Sequence, residues 1–242
     1  MSHASSSPAN RIQEQAVPDV AADAKRAFDA ICSGGIAILP MDVGYSLIGA
    51  RDAALARIFD TKRRTPSKLN AMLGDDAIHR ELHVLDARQR AMVTAITIDH
   101  DLPLGLIAPA RMDHSMLRRL SPDLLKRSTS DDTLLMLLNA GPFHAEICRL
   151  SRSSEVPLFG SSANLSLSGT KFRVEDIEPE VRAIADVTID YGLRKYHLYR
   201  ASSTLIDIRT CKVVRYGACF ELIADVLSRH FRVDLPAPPS SA

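Results

Sequence analysis

Two short segments of this chain carry side chains whose types and spacing suit a phosphorylated ligand. The first, Thr61-Lys62-Arg63-Arg64-Thr65-Pro66-Ser67-Lys68, holds four cations, with no carboxylate between Asp60 and Asp75. Pro66 argues against a continuous helix. In extended chain, side chains alternate with period two, so Lys62 and Arg64 face the same side. Two cations converging on one point suit phosphate, Arg as a planar fork and Lys as a point charge. The second segment is Phe159-Gly160-Ser161-Ser162-Ala163-Asn164-Leu165-Ser166-Leu167-Ser168-Gly169. It follows an apolar run read as a buried strand, and in open α/β sheets ligands bind at the carboxyl ends of strands. Ser162 and Asn164 are two apart, and both can donate and accept hydrogen bonds without adding charge. Taken singly, a solvated basic loop and a Ser/Asn/Gly-rich surface turn are the ordinary fates of such segments.

The elements that would position these residues alternate between helical and strand patterns. Pro18-Asp19 opens a helix with Ala24, Ala27, Phe28 and Ile31 on its apolar face, closed by Gly34-Gly35. Ile36–Leu39 reads as a buried strand stopped by Pro40, followed by a strand at Ser46–Ile48, a helix over Asp52–Asp60 and a strand at Leu69–Leu73. Helices are expected over Asp86–Thr97, Pro142–Arg152 and Glu221–His230. Strands are expected at Leu104–Ile107, Thr133–Leu138, Pro157–Phe159, Val187–Ile189, Thr204–Ile208 and Lys212–Arg215, the last two joined as a hairpin. The prediction is a single α/β domain over residues 18–230, with a twisted mixed parallel and antiparallel sheet and helices. Residues 1–17 read as a disordered leader and 231–242 as a flexible tail.

Composition narrows the function classes. The chain has 242 residues, 46% apolar and 24% charged, with a formal net charge of +1, so any basic site must be local. No Trp and few other aromatics argue against a stacking platform for single-stranded nucleic acid. Cys32, Cys148, Cys211 and Cys219 are far apart and lack metal-ligand spacing, which reads as reduced thiols and a cytoplasmic address. No apolar run approaches the ~20 residues that span a bilayer, so no membrane partner is expected.

Lys62-x-Arg64, followed about a hundred residues later by Ser162-x-Asn164, resembles the paired signature of the YrdC-like family. Around it, SSANLSLSG at 161–169 resembles the family's SANLSG, with Leu167-Ser168 expanding its end. Ser203-Thr204-Leu205-Ile206-Asp207 resembles its STVVD, and Val213-Val214-Arg215-Tyr216-Gly217 its ilRxG. The run from Leu39 through Pro40, Met41, Asp42, Val43, Gly44, Tyr45 and Ser46 to Leu47 resembles its iPTDTvYGL. The matches keep the family's order over roughly residues 20–220.

The resemblance implies a twisted α/β fold with a positively charged cavity that condenses threonine, bicarbonate and ATP into threonylcarbamoyl-adenylate, a step in tRNA modification. It implies ATP as cofactor, Mg²⁺ carried through the phosphates, and a small carboxylate or carbamate as second substrate. Carried over by position, Lys62 and Arg64 would be catalytic. Lys62, Arg64, Lys68, Ser162, Asn164, Ser203 and Arg215 would hold the nucleotide, and Asp42, Tyr45 and Ser161 the substrate. No metal site made of protein ligands is expected.

This chain departs from the pattern in its amino-acid half. Met41 and Val43 replace the threonines of PTDT, and Ser46 replaces the glycine of YGL. The family's vavRvP strand, whose arginine suits a carboxylate, aligns with the cation-free Leu135-Met136-Leu137-Leu138-Asn139. The WPGPlT segment has only Leu104-Gly105-Leu106-Ile107-Ala108-Pro109 as its nearest counterpart. Two readings follow: an enzyme that adenylates a different substrate, and a non-catalytic protein binding a nucleotide or double-stranded RNA. An RNA contact would fall on a second basic patch, Arg118, Arg119, Lys126 and Arg127. Arg194, Lys195, His197 and Arg200 lie in a loop that is either a lid or solvated. His79 and His83, four apart, are expected on a surface helical face.

Overall fold

The computed structural model describes residues 17–63 and 69–239. Among the described residues ten strands form one mixed sheet: β1 (Ala37–Met41), β2 (Gly44–Gly49), β3 (Ala71–Leu73), β4 (Leu104–Pro109), β5 (Thr129–Ser130), β6 (Thr133–Leu138), β7 (Phe159–Ser162), β8 (Val187–Thr188), β9 (Leu205–Asp207) and β10 (Lys212–Arg215). The order across the sheet is β10-β9-β4-β6-β3-β7-β2-β1-β8, with β5 pairing β6. Pairings β1/β8, β3/β6 and β4/β9 are parallel and the rest antiparallel, which is the mixed sheet expected. The helices are α1 (Val20–Cys32), α2 (Asp52–Thr61), α3 (Asp76–Leu82), α4 (Ala87–Thr94, continued by a π turn at Ala95–Asp99), α5 (Ser115–Arg118), α6 (Pro122–Ser128), α7 (Pro142–Ser153), α8 (Pro179–Arg182) and α9 (Phe220–Phe231).

Local chemistry explains these boundaries. Asp19 caps α1 by accepting the amide of Ala22 at 3.0 Å, and Ala24, Ala27, Phe28 and Ile31 are buried as the periodicity required. Strand β1 runs through Pro40 to Met41 instead of stopping at it. Proline has no amide to donate, so it suits a strand whose neighbour has ended. Strand β8 meets β1 only at Ala37 and Ile38, leaving Pro40 without a partner on that side. The β1–β2 turn depends on Gly44, at φ 112°, where a Cβ would lie 2.3 Å from Thr170 Cγ2.

Sheet residues divide by parity. Tyr45, Leu47, Met72, Leu104, Leu106, Leu134 and Met136 are buried on the side where α3 packs against β6 and where α1 and α7 pack on each other and on β1. The alternate residues of the central strands face an open cleft. Beyond α9, Val233 and Leu235 pack against the core, so ordered packing extends into the expected tail. Among the described residues no helix is long and apolar enough to cross a membrane.

Candidate functional site

The cleft encloses about 660 Å³ over the exposed face of the sheet. Its floor is apolar: Ile48, Leu73, Leu137, Leu135, Ile107 and Leu205, from β2, β3, β6, β4 and β9. Gly160 keeps the floor bare beside Ile48, because a Cβ there would meet the Leu47 carbonyl at 2.0 Å. Polar groups stand at both ends, Lys62, Ser46, Ser162, Asn164 and Ser166 at one and Ser203, Arg215, Asp207 and Arg209 at the other. Ser130, Asp131 and Thr133 are contributed between them by β5, β6 and their turn. Strands β7 and β9 are four steps apart across the sheet, so the ends are separated by roughly 19 Å at ~4.8 Å per strand.

At the first end Lys62 caps α2 and is buried. Its ammonium donates to the carbonyls of Ser162 and Asn164. The Ser162 hydroxyl donates to Asn164 Oδ1. Ser166 returns the tie, its hydroxyl and amide both donating to the Lys62 carbonyl, at 2.6 and 3.2 Å. The cation expected from the basic segment and the SxN motif thus form one unit. At the other end Arg215 donates Nε and Nη2 to the Ser203 carbonyl at 3.1 and 2.8 Å, and Nη2 to its hydroxyl at 3.3 Å. Partial withdrawal from water lowers the Arg215 pKa from its ordinary value, yet a guanidinium stays ionised at physiological pH. Asp207, in the same cleft, is held below the usual carboxylate range chiefly by its hydrogen bonds from Arg209.

Arg64 and Lys68 lie outside the described residues. Three positions assigned to the substrate do not present their side chains here. Tyr45 alternates with Ser46 and points to the opposite face. It is fully buried, its hydroxyl lies 2.9 Å from both Asp190 Oδ1 and the Gly192 carbonyl, and it accepts the Tyr191 amide at 3.0 Å. Asp42 does not line the cleft; Arg194 donates to it at 3.0 Å, and burial raises its pKa against the opposing pull of Arg194. Ser161 contributes to the cleft wall, but its hydroxyl is buried without a hydrogen-bond partner among the described residues. Met41 and Val43 are likewise buried and off the cleft, so their replacement of threonine does not alter its lining.

Ser46 lines the cleft at a position the motif pattern does not assign to the ligand. Strand register sets it opposite Ser162, facing the cleft. The signal was available, since a hydroxyl at an expected glycine, alternating with a buried tyrosine, must emerge on the other face. The loop that could have been a lid is anchored by Arg194, which also donates to the Met41 carbonyl at 3.1 Å. His79 and His83 are buried, not on a surface face: α3 packs against β6, and the two Nδ1 atoms lie 2.9 Å apart. A second groove of about 680 Å³ lies beside α4 and α9. Its Arg80 is bonded to Asp76 and Thr94 and its Arg90 to the Leu85 carbonyl, so those cations are already engaged.

No curated protein matches the chain by sequence. Among solved structures, a hypothetical protein (smu.1377c) of Streptococcus mutans UA159 aligns with TM-score 0.74 and 20% identity, over 87% of this chain and 93% of its own. P. abyssi Sua5 complexed with L-threonine aligns with TM-score 0.67 and 19% identity, over 90% of this chain and 62% of Sua5. Full-length HypF in a phosphate- and nucleotide-bound form gives 0.60 and 17%, over 81% of this chain and 29% of HypF. These likenesses establish the fold. The sequence model of a domain family described as "Telomere recombination" matches residues 29–217, and the chain belongs to this Sua5/YciO/YrdC family.

Proposed function

We propose that the cleft binds ATP with Mg²⁺ and that the protein forms a carbamoyl- or acyl-adenylate from a second substrate other than threonine. The observation that carries this reading is the gathering of Lys62, Ser162 and Asn164 at one end of an apolar cleft and of Ser203 and Arg215 at the other. ATP fits that layout with its anionic phosphates at the first end and its flat base, beyond the ribose, over the apolar floor toward Ser203 and Arg215. Sua5 solved with L-threonine, and HypF solved with nucleotide and phosphate, support it by fold likeness. Family membership connects such a product to tRNA modification.

In this reading Lys62 supplies fixed positive charge behind the Ser162–Asn164 pair, where negative charge grows as the α-phosphorus is attacked. Arg64 and Lys68, on the basic segment, would add to it. Arg215 and Ser203 orient the far end of the nucleotide, so that positioning carries most of the rate. Mg²⁺, bound through the phosphates, would neutralise part of their charge. Among the described residues no group of three or more Asp, Glu, His or Cys side chains could hold a metal ion. The case against threonine rests on Leu135 and Leu137, which offer no partner to a carboxylate. Double-stranded RNA draws less support: Arg119 is paired with Glu155 at 2.5 Å, and Arg127 stacks on Phe59.

Calorimetry tests the reading. Wild-type protein should bind Mg²⁺-ATP, and Lys62→Met, which keeps the length of the stem, should weaken binding by about 2 kcal/mol, roughly thirtyfold. Absence of heat at millimolar ATP would end the proposal.

A further inference from the structure

Residues 165–169 form a turn at the mouth of the cleft whose base is fixed on both sides. Ser166 is tied to the Lys62 carbonyl. Ser168 donates to Glu178 Oε1 at 2.6 Å, and the Leu165 amide donates to Glu178 Oε2 at 3.2 Å. Burial opposes ionisation of Glu178, but bonds from Ser168, Lys171 and Leu165 bring its pKa down to about 2, so this anchor is charged at any working pH. At the apex stands Leu167, 92% exposed while lining the cleft, with φ at 71°. Leucine rarely adopts left-handed backbone, and the surrounding structure must impose it. An anchored turn therefore holds a large apolar side chain in water, one residue from the tie to Lys62.

We propose that Leu167 covers the hydrocarbon part of the molecule that attacks the nucleotide, and that this second substrate is an apolar amine or carboxylate. The inference rests on the nucleotide reading above and deepens it. An apolar contact adjoining the phosphate-holding end is best matched by the attacking molecule, because the nucleotide's own apolar part is its base, which lies beyond ribose. Leu73 and Leu137 continue apolar surface along the floor below. For an apolar amino acid the chemistry closes with bicarbonate as co-reactant. The amine adds to bicarbonate with loss of water, giving a carbamate. A carbamate oxygen then forms a bond to the α-phosphorus while the bond from that phosphorus to the α,β-bridging oxygen breaks, its electron pair leaving on pyrophosphate. For a simple apolar carboxylate, the carboxylate oxygen attacks directly.

The test measures pyrophosphate release from Mg²⁺-ATP with and without bicarbonate across leucine, valine, alanine, threonine, aspartate and a short fatty acid. The expected result is kcat/KM for one of the hydrocarbon substrates about tenfold above threonine. Leu167→Ser should raise KM for that substrate at least fivefold and leave the Kd of ATP alone within twofold, while Leu167→Met keeps the wild-type KM. Leu167 packs against nothing in the core, so neither variant should shift the melting temperature. Threonine or aspartate as best substrate overturns the inference. So does weakened ATP binding in Leu167→Ser, which would assign the leucine to the base. Should turnover be absent with every substrate, calorimetry of leucine, valine and the fatty acid on the ATP-loaded protein decides, and no binding overturns it. Failure of ATP itself to bind sinks the nucleotide reading and this one with it, whereas ATP binding with any of the other adverse results sinks only this one.

Discussion

Under β6, on the helix-covered face of the sheet, His83 bonds the Leu134 carbonyl at 3.2 Å and His144 the Leu137 carbonyl at 3.1 Å, while His79 and His83 share a hydrogen bond. Across the same sheet, Ser46 turns to the cleft with no hydrogen-bond partner for its hydroxyl among the described residues. Both faces carry polar side chains largely withdrawn from solvent. On the first the three histidines are matched by backbone or by each other, whereas the Ser161 hydroxyl, among the described residues, is not. On the second some remain open toward space a ligand could fill. The three histidines thus serve packing on one face, while Ser46 on the other is a proposed ligand contact.

The largest effect should come from acidifying the matched face. Burial lowers the pKa values of His79, His83 and His144 to about 4, 3 and 4. The unfolded chain takes up protons near the ordinary value of 6.5 while the folded protein stays neutral, so stability present above pH 6.5 is lost as pH falls toward the folded values. At pH 5 His144 alone costs about 2 kcal/mol, and the hydrogen-bonded His79–His83 pair adds to it, a sizeable part of the whole stability of many domains. Urea unfolding followed at pH 7 and pH 5 should show a collapse of the midpoint. Equal midpoints would mean that these histidines are not held neutral.

What the sequence made legible follows the same division. Strands β6 and β10 begin and end where the sequence pattern placed them: β6 is a buried apolar run bounded by polar turns, and β10 is the largely exposed second arm of a hairpin whose short connection fixes it. The paired signature of Lys62 with Ser162 and Asn164 converges in space. Strand β7, in contrast, runs Phe159–Ser162 instead of Pro157–Phe159. Gly160, Ser161 and Ser162 have little strand propensity, and pairing with β2 and β3 decides their state. Helix α3 enters the sequence reading only as a helical face shared by His79 and His83, although Asp75, which accepts the Ile78 amide at 2.8 Å, is a visible cap that would have marked its start. Motif matching named Tyr45, but which face a strand residue takes is settled by parity against its neighbours.

Tyr45 gives the next test, because its family motif assigns it to the ligand and its surroundings assign it to the fold. Tyr45→Phe removes the hydroxyl that accepts the Tyr191 amide and leaves that donor unpaired. The expected loss is about 2 kcal/mol of unfolding free energy, with the Kd of ATP unchanged. A variant as stable as wild type but weakened in nucleotide binding would move Tyr45 back to the cleft and break the division between faces.

The smallest effect should come from Ser46, and it is the reverse of the last. Ser46→Ala removes a hydroxyl without stranding a protein partner, in a strand held on both sides by β1 and β7. Its stability should therefore stay within about 0.5 kcal/mol of wild type, as for substitutions that break no buried contact. A hydroxyl that bonds a ligand in a water-accessible cleft contributes about 0.5–1 kcal/mol, because water replaces part of the interaction when it is lost. ATP affinity should then fall about two- to fivefold. Titration calorimetry resolves that interval, and parallel urea unfolding supplies the control. If the variant lost stability and kept its affinity, Ser46 would belong with the matched polar groups of the other face, and openness toward the cleft would cease to mark a ligand contact.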